Sequence, residues 1–321
     1  MNLPSDKVIF LLSRKYKLAY DCDFVSVDLT CFSDNFSQIN LKKALNFCKN
    51  TKYMDGFLDN ILNGKEFIAY VPQVSSLFFQ LIITNKHCKG YHFIEEGIAN
   101  YRGNLYLKST KKSSSIIRFI YDLVNKCSKR FMLYPACLGS YPKVEYNPKY
   151  YLFKKKSFLS NDKIECIEFL PNKINDEIFN FDVAIVFSAS VESSILALVD
   201  FKVIMCKYIE YCKLNGLAKI GLKFHPMQSE VMKDFICKEF SKENYSIIED
   251  EVDVERLVRF NDTLVILGLE SSVLLYAKVF GKNNIVVSFI SFYNKSLRKE
   301  KVYNGYNEVE EIFKDNGIVL I

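Results

Sequence analysis

Apolar positions recur along this chain in two periods. In the second half, runs of strand length alternate with longer stretches of helical spacing. Residues 182–188 (DVAIVFS) are almost continuously apolar, the pattern of a strand buried on both faces. Over 194–214 the residues Ile195, Leu198, Val199, Val203, Cys206 and Ile209 fall at helical intervals. The same reading gives strands at 219–224, 245–248, 263–268 and 283–292, and helices at 228–240, 253–260, 271–280 and 307–315. Strands joined through helices by short links predict right-handed parallel units, hence a doubly wound α/β sheet.

The first half alternates less cleanly. Strands are predicted at 24–29, 66–71 and 91–97, and helices at 40–63, 74–84 and 113–128, with no obvious opening strand before them. Residues 137–180 are rich in Tyr, Lys, Pro and Asn and weak in periodicity, which reads as a crossover. A chain of 321 residues is long enough for two domains. The expected division is one α/β domain over 1–165, a second over 166–305, and a final helix and tail at 306–321 packing back on the first.

Composition narrows the classes. Forty-three basic against 37 acidic residues leave a net charge of +6, which suits an anionic ligand or surface. No basic helix or aromatic RNA-binding motif accompanies it, so nucleic acid is not an expected partner. The triple lysine Lys154, Lys155 and Lys156 reads as a solvated connector, or else as a contact for anionic lipid. Ten cysteines are dispersed without a C-x-x-C pair, which argues for reduced core thiols in a cytosolic protein and against a zinc site. Gln73, Gln80 and Glu270 interrupt the most apolar stretches, so no spanning helix is expected, and no secretory leader is read at the N-terminus. The chain has 27 Phe and 20 Tyr but no Trp and only three His. Imidazole chemistry therefore has few places to sit.

Ligands of open parallel sheets bind beyond the carboxyl ends of the strands. Three predicted strand ends carry chemistry. In HFIEEGIANY (92–101) a strand runs into Glu95, Glu96 and Gly97; a carboxylate there can take a proton from a hydroxyl, and the glycine permits a sharp turn. In KFHP (223–226) His225 ends a strand, with Lys223 two residues before it and Pro226 fixing the backbone after it. In LGLESSVLLYAKVFG (267–281) Ser271 and Ser272 open a helix, where hydroxyls, N–H groups and the helix dipole favour an anion. A plain serine N-cap is the ordinary reading of that last pattern. Ser188 and Ser190 follow the first strand of the second domain and are within reach of the same edge, and Glu270 adjoins the serines. His87 and His92 read as structural. Asp21 and Asp23 form a D-x-D pair, too short a motif to carry a metal site.

The order acid-acid-Gly, then His-Pro, then Ser-Ser resembles the bacterial sialyltransferases, and most closely glycosyltransferase family 52, the lipooligosaccharide and capsule enzymes. VDVERL (252–257) is similar to that family's segment carrying a nucleotide-binding Glu. The resemblance implies a GT-B fold: two Rossmann-like domains with parallel sheets facing a central cleft, the first for the acceptor and the second for the donor. It implies an inverting, metal-independent transfer of N-acetylneuraminic acid from CMP-N-acetylneuraminic acid to a galactoside hydroxyl of a lipooligosaccharide or capsular polysaccharide. Glu96 would be the general base beside the motif glycine Gly97, and His225 the partner of the departing CMP phosphate. Ser271 and Ser272 would hold that phosphate and Glu255 the ribose or cytosine, with Lys223 and Ser188 also on the donor side. No cofactor or metal is expected. The enzyme would work in the cytoplasm, with peripheral contact to an anionic inner membrane and a homodimer both compatible. A CMP-Kdo-dependent or polysialyl transferase is the same-class alternative; a non-catalytic protein binding a nucleotide or anionic glycan is the alternative from another class.

Overall fold

The computed structural model describes residues 8–12, 25–28, 47–72, 77–95, 119, 149–152, 166–168, 180–250, 252, 254, 257–258, 261, 263–281, 283–297 and 305–321. The chain forms two compact units, Met1–Glu168 and Phe169–Ile321. Both are α/β with parallel sheets.

In the first unit, β1 (Ile9–Leu12) and β2 (Val25–Asp28) form a parallel pair. Helices α1 (Phe47–Leu62) and α2 (Leu77–Ile83) flank β3 (Phe67–Val71) in the chain, and β4 (Cys88–Ile94) follows. Strands β5 (Tyr150–Leu152) and β6 (Cys166–Glu168) complete a four-stranded sheet in the order β3-β4-β5-β6. Met54, Leu58, Leu81 and Phe93 fill the core. Two expectations are corrected. An opening strand exists, in the short run Ile9–Leu12. The stretch 137–180 is no mere crossover, because β5 and β6 lie in it; strands of three residues are too short to show a period.

The second unit is a six-stranded parallel sheet. Its strands are β7 (Val183–Val186), β8 (Ile220–Lys223), β9 (Tyr245–Ile248), β10 (Val265–Gly268), β11 (Ile285–Ser288) and β12 (Val319–Leu320). Helices α3 (Leu198–Leu214), α4 (Glu230–Glu239), α5 (Ser272–Phe280) and α6 (Gly305–Asp315) connect them. The spatial order β12-β11-β10-β7-β8-β9 is that of a doubly wound Rossmann-type sheet. The chain builds outward from β7 to β9, then returns to the other side of β7. Strand order therefore reverses between β7 and β10, and connections leave these two neighbours in opposite directions.

Residues 305–321 belong to this unit, with α6 leading into the edge strand β12 beside β11. The strand expected over 283–292 stops at Ser288. There the hydroxyl donates to Leu269 O (2.5 Å) and accepts from Ile290 N (3.2 Å), turning the chain into a helical turn, Ile290–Phe292, and a π-helical turn, Tyr293–Leu297. Of the helix expected at 253–260, Val254, Leu257 and Val258 are described, helical and buried.

The abundance of phenylalanine has a structural use. Phe187, at the end of β7, stacks on Phe224 (5.9 Å between centroids) and meets Phe201 (6.0 Å) and Phe240 (6.2 Å) edge-on. These rings lie under the carboxyl edge of the sheet and fix its height. Gly268, at the end of β10, is needed for close approach: a Cβ there would stand 3.1 Å from both Leu274 Cδ2 and the Val186 carbonyl oxygen.

Two outcomes follow from this packing. Phe187→Ala should lower unfolding free energy by about 3–5 kcal/mol, read from denaturant titration of the full chain. A loss under 1 kcal/mol would deny Phe187 its core role. Burial, with Glu243 adding to it, pushes the Cys212 thiol up to about 12, whereas Cys206 on the same helix is exposed. Iodoacetamide at pH 8 should therefore modify Cys206 and spare Cys212 in peptide mapping of the native protein; equal labelling would contradict the packing of α3.

Candidate active site

The parallel register places chemistry in one row. Gly268, Val186 and Lys223 are aligned across β10, β7 and β8. Two residues further along each chain stand Glu270, Ser188 and His225. Neighbouring strands are about 4.8 Å apart, so this row is about 10 Å wide, and it straddles the point where strand order reverses. The sequence reading placed Ser188, His225 and the Ser271–Ser272 helix start at strand ends, and the sheet brings those strand ends side by side.

His225 lies in a turn closed by Pro226. Its backbone N–H donates to Gln228 Oε1 (3.2 Å), and Gln228 N donates back to His225 O (2.9 Å). The Met227 N–H donates to His225 Nδ1 (3.1 Å). A ring nitrogen that accepts from a backbone N–H carries no proton, so the neutral imidazole is protonated at Nε2. The half-buried ring is thus a hydrogen-bond donor of fixed tautomer at the end of β8.

Ser271 is the N-cap of α5, in extended conformation, its hydroxyl accepting from Val273 N (3.3 Å). Ser272 is the first helical residue. N–H groups of a first helical turn have no intrahelical carbonyl, and the dipole adds partial positive charge.

Glu270, directly before this cap, is the hub of a polar cluster. Its Oε1 accepts from Ser190, a very short contact, and from Ser188 (3.4 Å), while the two serine hydroxyls are 2.5 Å apart. Buried Tyr306, from the start of α6, brings its phenol to Glu270 and Ser190. Burial, then the charge of Glu270, drives the Tyr306 phenol far above its ordinary value, and the same causes act on fully buried Tyr208. Both phenols therefore stay protonated. The sequence reading noted Glu270 and Ser190 as neighbours of the site but gave neither a central place, and it missed Tyr306. No local pattern marks Tyr306, because only the folding of α6 brings it to β10.

Lys223 has a different setting. Its amine donates to the carbonyls of Glu249 (2.5 Å) and Asp250 (3.2 Å), tying β8 to the turn after β9. Its charge remains at the carboxyl edge. Glu96, Gly97 and Glu255 lie outside the described residues, as do Asp21, Asp23 and the lysine triplet. Glu95 is described, and its N–H donates to Tyr151 O (3.0 Å), extending the pairing of β4 with β5. His92 accepts at Nδ1 from Lys149 N (3.1 Å) between the rings of Tyr70 and Tyr151, and His87 contacts Asp59 (3.3 Å); both hold structural places. Among the described residues, no three His, Cys, Asp or Glu side chains converge as metal ligands. Nor, among them, is any helix long and apolar enough to cross a membrane. A cavity of about 230 Å³ lies at the opposite, amino edge of the second sheet, lined by Asn180, Phe181, Lys219, Ile220, Asn244 and Ser246. Its lining carries one charge, that of Lys219.

No curated protein matches the chain. A family model does: that of alpha-2,8-polysialyltransferase (POLYST), over residues 23–289. The span runs from before β2 to Phe289, just past β11, and includes all three motifs read from the sequence. The resemblance to a sialyltransferase stands, while the lipooligosaccharide family named on motif order is not the family matched. A match over that share of the chain identifies it: the chain belongs to the alpha-2,8-polysialyltransferase family, and it is a sialyltransferase, a glycosyltransferase enzyme.

Proposed function

We propose that this enzyme transfers sialic acid from CMP-N-acetylneuraminic acid to a terminal sialic acid of a growing bacterial glycan, with inversion and without a metal ion. The observation that carries the reading is the row at the strand reversal: His225 with its proton on Nε2, Ser188, and the Ser271–Ser272 helix start. The activity for which the family is named favours a sialyl acceptor over the galactoside that the motifs first suggested.

The reaction forms a bond from an acceptor hydroxyl oxygen to the anomeric carbon of sialic acid. It breaks the bond from that carbon to the CMP phosphate oxygen. Glu96 takes the hydroxyl proton as general base, next to Gly97. The leaving group is a phosphate monoester, whose growing charge needs neutralisation. His225 Nε2–H donates to it, and Ser271, Ser272 and the α5 dipole hold it, which is what a metal ion would otherwise supply. Glu255 binds the ribose or cytosine by the motif resemblance. Lys223 contributes positive potential from its tethered position, and Ser188 faces the donor from β7. The net charge of +6 and the lysine triplet suit work at the cytoplasmic face of an anionic membrane, where lipid-linked glycans grow.

Transfer from CMP-N-acetylneuraminic acid to an oligosialic acid primer should proceed with EDTA present, and lactose should be a poor acceptor. A strict metal requirement would overturn the leaving-group mechanism, and efficient transfer to lactose alone would return the acceptor to a galactoside. His225→Ala should cut turnover by about 100-fold or more while the protein still binds CMP. Wild-type turnover in that variant would remove His225 from the reaction.

A further inference from the structure

The donor-site reading gives no role to Glu270, although a carboxylate directly before an anion cradle opposes phosphate binding. Its surroundings show how that opposition is held off. Oε1 accepts from the hydroxyls of Ser188 and Ser190, and the protonated phenol of Tyr306 reaches the same carboxyl group. These donors come from two separate segments, the loop after β7 and α6, and meet on the β10–α5 turn. Each anchor is itself fixed. The Ser190 carbonyl accepts from Ile195 N (2.9 Å) and Leu196 N (3.1 Å), closing the loop after β7. Tyr306 packs edge-on against Tyr293 (5.2 Å), and Glu310 of α6 accepts from Ser291 and from Asn294 Nδ2 (2.5 Å). The C-terminal helix is thus locked to the turn after β11, and through Tyr306 to the strand reversal.

We infer that Glu270 is a positioning residue of the donor site: clamped by Ser188, Ser190 and Tyr306, it fixes the Ser271–Ser272 helix start for the donor phosphate and turns its own charge away from it. Tyr306, far along the chain, is thereby part of the machinery that sets affinity for the nucleotide phosphate. The inference rests on the donor-site reading above. It differs from a plain stabilising role in one measurable way: it concerns the phosphate alone, not the nucleoside.

The test is calorimetric titration of the full chain with CMP and with cytidine, which lacks the phosphate. Tyr306→Phe should weaken CMP by about tenfold, the effect of removing one polar group beside a charged one, and leave cytidine unchanged. Ser190→Ala should act in the same direction and provides the check if Tyr306→Phe folds poorly. In a Glu270→Gln background, Tyr306→Phe should change CMP affinity by less than about twofold, since the charge it serves is gone. Parallel losses for CMP and cytidine, or no loss for either, would overturn the inference. Ser271→Ala separates the two levels. If Ser271→Ala weakens CMP while Tyr306→Phe does not, only the clamp falls. If Ser271→Ala leaves CMP untouched, the donor-site reading falls and the clamp with it.

Discussion

The second unit depends on one adjacency, the parallel pairing of β7 with β10. These strands are distant in sequence and hydrogen-bonded along their full length, Val183 to Val265 through Val186 to Gly268. The chain leaves β7 toward β8 and leaves β10 toward β11, so the connections diverge and open a crevice above the pair. Close approach at Gly268 holds the strands at their spacing, since a side chain there would press on the Val186 carbonyl. Phe187, on the stacked rings below, sets where the edge ends. Everything chemical in the described part of this unit is arranged along that edge.

The edge combines opposite electrostatic demands. A phosphate site of the kind proposed needs N–H groups, hydroxyls and cations; α5, His225 and Lys223 are the groups at this edge that could serve it. Glu270 brings the wrong sign. Two unit charges about 6 Å apart at an effective dielectric of about 20 repel by about 3 kcal/mol, enough to cancel a good phosphate contact. In the inferred clamp, the hydroxyls of Ser188 and Ser190 offset this by engaging Glu270 Oε1. The same demand explains why buried tyrosines stand there: a phenol kept protonated by burial is a donor that no physiological pH removes.

The legible part of the sequence was the part with a long period or a short spacing. The β7, β8, β9 and β10 runs are apolar and sharply bounded, so the Rossmann-type alternation shows before any coordinates. His225 and Ser271 were found because they sit two and three residues beyond the ends of such strands. Tyr150–Leu152 and Cys166–Glu168, at three residues each, are too short to declare a period. Tyr306 was invisible for a related reason. Its meaning lies in a contact across 36 residues to Glu270, which no local pattern encodes. Phe224, directly before the H-P pair, is a core ring stacked on Phe187.

The scarcity of histidine acquires a physical sense once the three are placed. His87 and His92 are spent on fixing the first unit, one against Asp59 and one between tyrosine rings. Only His225 stands on the carboxyl edge of the second sheet, with the Met227 N–H on its Nδ1 and the Gln228 side-chain oxygen on its backbone N–H. A carboxylate at Nδ1 would favour the doubly protonated ring and a strong general acid. A backbone N–H at Nδ1 instead fixes the tautomer with the proton on Nε2. Nε2 is therefore the ring atom of His225 with a proton to donate, and the proposed mechanism directs it to a phosphate oxygen. That suffices for a leaving group such as CMP, whose phosphate departs as a stable anion and needs stabilisation of charge more than delivery of a proton.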